Sequence, residues 1–218
     1  HLSFLNSLVS DFFAEIVVPG MHCNTGYIGN IPFKKADNSV IVISQIMISL
    51  SKSDWDAYET SWDFTSLPLL SPDYRSDNLE QTYQSLRSHW QGMTDEMLKL
   101  EEENNKIFID AYGLQDELTP DVPIHEITLT CNPAYRYGTK VSEEVQEERL
   151  QQDTIKEFIS YAVGCMFGRY ALEEPGLILA NAGETIEEYL RKVPNPSFPA
   201  DDDNIIPILD GDWFDDDI

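Results

Sequence analysis

Asn132, Pro133 and Tyr135, in the run Cys131-Asn132-Pro133-Ala134-Tyr135, are the residues whose types and spacing come nearest to a chemistry. An Asn-Pro-x-Tyr loop at the end of a strand can hold a nucleobase that has been turned out of its duplex. The Asn side chain and the Pro carbonyl accept hydrogen bonds from the exocyclic amine, and the Tyr ring stacks on the face of the base. The alternation Ile127-Thr128-Leu129-Thr130 just before it reads as a short strand that would carry such a loop. Moving a methyl group onto that amine also needs a donor site: a Gly-rich loop after a strand, with an acidic residue beyond it to grip the ribose. The glycines in Tyr112-Gly113-Leu114, Val163-Gly164-Cys165 and Phe167-Gly168-Arg169 stand singly, without that spacing. Asn-Pro also simply opens turns after strands. That is the expectation here, with Asn132 bonded to nearby backbone and Tyr135 packed on a neighbouring helix.

Other chemistries find less support. Cys23, Cys131 and Cys165 are too few and too scattered for a disulfide framework and fit a reducing cytoplasm. His22-Cys23 has no second pair near it, and His89 and His125 stand alone, so no zinc set is expected. Asp201-Asp202-Asp203 and Asp215-Asp216-Asp217 lack the spaced Asp/Asn-Gly-Glu order of a calcium loop. Trp55 and Trp62, among acids and hydroxyls, read as a packing cluster. A base-stacking platform would carry cations beside them, and only Lys52 is there.

A net charge of -25 bounds the partners. A phosphate backbone is repelled by such a surface unless the cations gather on one face. The 14 Lys and Arg are spread along the chain, with only Lys34-Lys35 and Arg191-Lys192 adjacent. The plain reading is a solvated surface; the sharper one is an acidic module that docks a basic partner or imitates DNA. No apolar run reaches the length of a membrane span, no secretory leader is visible, and the start at His1 without Met reads as a piece cut from something longer.

The elements that must position these residues follow from periodicity. Leu2 through Val17 recur at helical spacing and end at Pro19-Gly20. Asn24 to Asn30 is a Gly/Asn turn cluster closed by Ile31-Pro32, and Val40 to Leu50 is a strand or a short helix, its β-branched content favouring the strand. Leu79, Tyr83, Leu86, Trp90, Met93, Met97, Leu100, Asn104, Ile107 and Ala111 alternate spacings of four and three, a heptad seam whose one polar member is Asn104. Leu86 and Trp90 should be buried in it, Glu101 to Glu103 should face water, and Gly113 should cap the helix end. A second long helix is expected, with Glu143-Glu144 and Glu147-Glu148 in its polar start and, over Thr154 to Arg169, Ile155, Phe158, Ile159, Ala162, Val163, Met166 and Phe167 as its apolar face; a short one is expected around Ile186, Tyr189 and Leu190. Pro- and Asp-rich sequence follows Pro194. The expected fold class is mainly α with a few short β-strands: long helices packed side by side as a helical spacer after a small α/β segment. The expected domains are 1–70, a small α/β region; 71–193, a helical domain; and 194–218, an acidic tail or linker.

Several stretches together resemble the phage-defence adenine-specific DNA methyltransferases of the Pgl/BREX type, related to fused restriction-methylation enzymes. They are Phe4-Leu5-Asn6-Ser7, Gly26 to Pro32, Asp54-Trp55-Asp56 through Glu59 to Phe64, Asn105 to Asp110 into Tyr112 to Leu118, Ile159 to Tyr170, and Phe198 to Asn204. The resemblance runs nearly end to end. It implies that the donor loop and an Asn-Pro-Pro-Tyr motif lie in a catalytic domain preceding His1. On that footing Asn132-Pro133-Ala134-Tyr135, with Ala134 out of pattern, is not the catalytic motif. No catalytic, cofactor or metal residue carries over. The resemblance also implies that 1–70 is the end of a target-recognition-like α/β region and 71–193 a helical spacer, so the implied role is a non-catalytic recognition or spacer fragment whose parent uses S-adenosylmethionine. Its implied partners are the parent's other domains, DNA through the intact enzyme with Lys34 and Lys35 as contacts, and other defence proteins, with no membrane. Two further readings remain open: an acidic interaction module or DNA mimic, and an adenine methyltransferase acting through Asn132 to Tyr135 itself.

Overall fold

The computed structural model describes residues 1–18, 25–35 and 37–202. Within them run eight α-helices: α1 (Leu2–Leu5), α2 (Leu8–Val17), α3 (Thr25–Asn30), α4 (Ser39–Asp56), α5 (Leu79–Tyr112), α6 (Pro133–Tyr137), α7 (Glu143–Met166) and α8 (Ile186–Lys192). Single 3-10 turns occupy Pro68–Leu70 and Ile124–Glu126. No strand occurs among the described residues, so the mainly α class holds without its minor β element. The expected ends at Pro19-Gly20, together with Cys23 and the last Asp run, fall outside the described residues.

Two segments that the sequence favours as extended are not. Val40 to Leu50 is helical within α4, because its inward residues follow a period of 3.6 rather than 2. Val40, Ile43, Met47, Leu50 and Asp54 share one side, and Ile43 and Asp54 are buried. The Asp37 carboxyl accepts the Ser39 amide at 2.8 Å where that helix begins. Ile127 to Thr130 is a loop between a 3-10 turn and α6, not a strand, with Ile127 and Leu129 buried and Thr128 exposed.

The chain forms two compact units. The first comprises His1–Trp55 and Arg87–Gln146, the second Asp56–Leu86 and Glu147–Ile218. In the first, the segment expected as one helix breaks into α1 and α2. The Ser7 hydroxyl donates to the Phe4 carbonyl at 2.7 Å and accepts the Ser10 amide at 3.4 Å, so it ends one helix and caps the next. Both are pinned to α5 by its asparagines. Asn104 pairs with the Ser3 hydroxyl and donates to its carbonyl at 3.0 Å, while the Asn105 oxygen accepts the Leu8 amide at 3.0 Å. Phe4, Val9, Ile31, Phe108 and Ile109 form the apolar centre. Its rings are in contact: Phe4 is edge-on to Phe108 at 5.4 Å and stacks on Tyr112 at 5.8 Å.

Along α5, Tyr83, Leu86, Trp90, Met93 and Met97 are buried, as the seam predicts. Beyond Met97 the buried positions become Asn104, Asn105, Phe108 and Ile109. A straight helix drifts by about 20° per heptad against a strict 3.5 repeat, so the packed face slides off the seam rather than supercoiling. The helix ends at Gly113, whose φ of 72° lets the Leu114 amide return to the Ile109 carbonyl at 3.0 Å.

In the second unit, Phe64, Tyr161 and Tyr170 make the ring cluster, with Tyr161 stacked on Tyr170 at 4.8 Å. The buried residues of α7 from Glu147 onward are Leu150, Thr154, Tyr161 and Cys165, whereas Ile159, Val163 and the following Phe167 are exposed. The apolar face expected on this helix is therefore only partly inward. Trp55 and Trp62 are exposed as well, and Phe64 takes the core place expected of Trp62. Gly168, at φ 70°, lets the chain turn where a Cβ would meet Leu179 at 2.9 Å. Phe198 and Ala200 pack into the clusters beside it.

Candidate functional site

Asn132 lies at the N-terminus of α6, with Pro133 as its first residue, where a missing N–H costs nothing. Its side chain is only 2% exposed. The amide nitrogen donates to the Ile124 carbonyl at 2.8 Å and the Ile127 carbonyl at 2.9 Å. The amide oxygen accepts the Ala134 N–H at 3.1 Å. Both donors and one acceptor position are thus used inside the protein, in the manner of a cap that closes a turn. For Asn132 to accept from a base, this turn would have to come apart.

The neighbouring backbone is held from α4. Asp54 is buried, and its two carboxyl oxygens accept the Thr130 N–H at 2.6 Å and the Cys131 N–H at 2.9 Å. Neither Asp54 nor this loop-to-helix clamp is announced by any motif; only the pairing of a helix-end acid with a distant loop identifies it. Burial, reinforced by Asp54, pushes the Cys131 thiol far above its ordinary range, which leaves it a packed, unreactive group. Tyr135, by contrast, is exposed rather than packed on a helix. Its ring sits one turn from an Asn whose donors are both spent and whose remaining acceptor position is buried with it.

Glu101 departs from its expected place in water. It is partly buried beside Glu126, and desolvation, followed by that like charge, raises its pKa to about 7. Asp11 is pushed up for the same reasons, with Glu15 and Glu126 as its charged neighbours. Glu101 lines a cavity of about 210 Å³ with Met97, Ser44, Met47, Ile48 and Ser51. In the second unit a cavity of about 830 Å³ is lined by Arg75, Leu79, Phe158, Glu173 and hydroxyl-bearing residues. Neither cavity includes Asn132 or Tyr135.

Lys34 and Lys35 follow α3. The Lys34 backbone donates to the Tyr112 hydroxyl at 2.6 Å, and its ammonium group caps α5 at the Ala111 carbonyl. Both residues are exposed. No group of three or more His, Cys, Asp and Glu able to hold a metal is found among the described residues, and Cys131 and Cys165 are free and buried. No helix there is long and apolar enough to cross a membrane. A methyl donor of the S-adenosylmethionine type calls for a Gly-rich strand-to-helix loop. The described residues, with no strand and with positive-φ glycines only singly placed, do not fit that group.

Among the described residues every regular element is helical, and Asn-Pro-Ala-Tyr is a closed cap at the start of one of them. The chain is similar over its whole length to adenine-specific methyltransferases of the BREX and Pgl type. It is 32% identical over 218 residues to the adenine-specific methyltransferase BrxX of Escherichia coli O9:H4 (strain HS), with 100% of the chain covered. It is 34% identical over 220 residues to the adenine-specific methyltransferase PglX of Lacticaseibacillus casei (strain Zhang), with 99% covered. It spans only 18% and 16% of the length of these two relatives. No protein-family model matches the chain.

Proposed function

We propose that these residues are a non-catalytic helical spacer and recognition segment of a longer, site-specific DNA adenine-N6 methyltransferase of a bacterial phage-defence system. The observation that carries this reading is Asn132. The one side chain typed for base chemistry spends its hydrogen bonds on Ile124, Ile127 and Ala134. The short share of the relatives' length leaves ample chain elsewhere for a donor site and a catalytic loop. In this reading S-adenosylmethionine binds that other part of the protein, DNA is engaged in the cytoplasm by the whole, and Lys34 and Lys35 contribute phosphate contacts from this segment. The net charge of -25 keeps the segment from binding DNA by itself.

Calorimetry of the 218-residue chain with S-adenosylmethionine tests this. No binding heat is expected up to millimolar donor. Stoichiometric micromolar binding would return the chain to the class of complete methyltransferases.

A further inference from the structure

The sequence of α4 is apolar on more sides than the fold covers. Of its residues only Ile43 and Asp54 are buried, while Ile41 is 55%, Val42 58%, Ile48 50% and Trp55 58% exposed. Ile41, Ile48 and Trp55 recur every seven residues and so share one outward face, roughly 21 Å long at 1.5 Å per residue. Beside this face opens the 210 Å³ cavity, and Ile48 borders both. Across the cavity stands Glu101 of α5, whose carboxyl accepts no hydrogen bond and meets no cation among the described residues. The charge nearest to it in effect is another acid, Glu126. A half-withdrawn carboxyl with only a like charge beside it is a position that a Lys or Arg would relieve.

Three features narrow the occupant. The apolar face excludes a purely polar ligand. Glu101 at the cavity and Glu126 close enough to act on it, in a chain of charge -25, exclude a phosphate backbone and oppose a second copy. More than four-fifths of the length of each relative lies outside the region this chain matches, which supplies covering chain from the same polypeptide. We infer that the outward face of α4 and the adjoining cavity seat a basic amphipathic segment of the same polypeptide from outside these 218 residues, its apolar side chains on Ile41, Ile48 and Trp55 and one Lys or Arg reaching Glu101. This rests on the reading of the chain as one part of a longer protein.

Hydrogen exchange over residues 39–56 tests the seat, comparing the 218-residue chain with the full-length protein. In the full-length protein the α4 amides are expected to exchange roughly tenfold or more slowly. The extra protection should fall in both Ile48→Glu and Glu101→Gln. Equal exchange in the two wild-type proteins overturns the inference without needing either variant. So does protection of the isolated chain that grows with its concentration, which would mark a second copy, and so does protection that appears only with added duplex DNA. Donor binding by the 218-residue chain would sink the spacer reading while leaving this comparison intact, so the two failures are distinguishable.

Discussion

Asn132 and Glu101 are both polar side chains drawn away from water in the first unit, and they end in opposite conditions. Asn132 makes two donated bonds and one accepted bond. Glu101 makes none among the described residues, and its main electrostatic neighbour is another acid. The residue with the suggestive motif is used up by folding, and the one with no motif is left over. Residue type proposes a chemistry; the bonds already made decide whether any capacity remains for it.

Apolar packing sets the scale against which these polar sites are measured. Leu86→Ala, at a 1% exposed position of α5, is expected to lower stability by roughly 2–5 kcal/mol in chemical unfolding. A loss below about 1 kcal/mol would mean that α5 is not held as described. Next comes the clamp beside Asn132. Asp54→Ala strips the acceptors from two backbone N–H groups, those of Thr130 and Cys131, and is expected to cost about 3 kcal/mol. Asn132→Ala, which loses three bonds but leaves the Asp54 clamp, should cost about 2 kcal/mol. If Asn132→Ala proved neutral, the contrast with Glu101 would fail, since Asn132 would then have been dispensable to the fold.

Glu101 sharpens the comparison through pH. Its folded pKa of about 7 stands above the ordinary 4.5, so between these values the unfolded state has released a proton that the folded state keeps. Stability contributed by this group therefore falls as pH rises from about 4.5 to 7 and levels off above. The upward shift of Asp11 acts with the same sign. Glu101→Gln should flatten this slope in unfolding curves of the 218-residue chain, and an unchanged slope would assign the pH dependence elsewhere. The smallest effect is expected at Lys34 and Lys35. In the full-length protein, Ala at both should reduce the slope of log affinity against log salt by about 2 and leave sequence preference unchanged.

The legible parts of the fold were those where one periodic signal dominated. The heptad reading placed Tyr83 to Met97 correctly in the interior, and Gly113 marked the helix end. It lost the face after Asn104, where Phe108 and Ile109 are buried in place of Ile107 and Ala111, because 3.6 residues per turn does not match a 3.5 repeat over so long a helix. For α4 the sequence left strand and short helix both open and leaned to the strand, because β-branched residues fit it by local preference; tertiary placement of Ile43 and Asp54 overrode that preference. Its exposed Ile41, Ile48 and Trp55 show why: residues that pack on nothing in this fold blur the periodicity by which a helix is recognised. At the candidate site, Asn-Pro as a turn signal was readable in one dimension. Its closure by Ile124 and Ile127, and the grip of Asp54 from α4, depend on residues brought together only by folding.

The most direct test is Asn132→Ala in the full-length protein, measuring adenine methylation per folded molecule alongside stability. If Asn132 is a cap, stability drops by about 2 kcal/mol and methylation per folded molecule stays within roughly twofold of wild type. Loss of methylation by orders of magnitude, with stability intact, would place base recognition at Asn132 and contradict the reading of this chain as a non-catalytic segment.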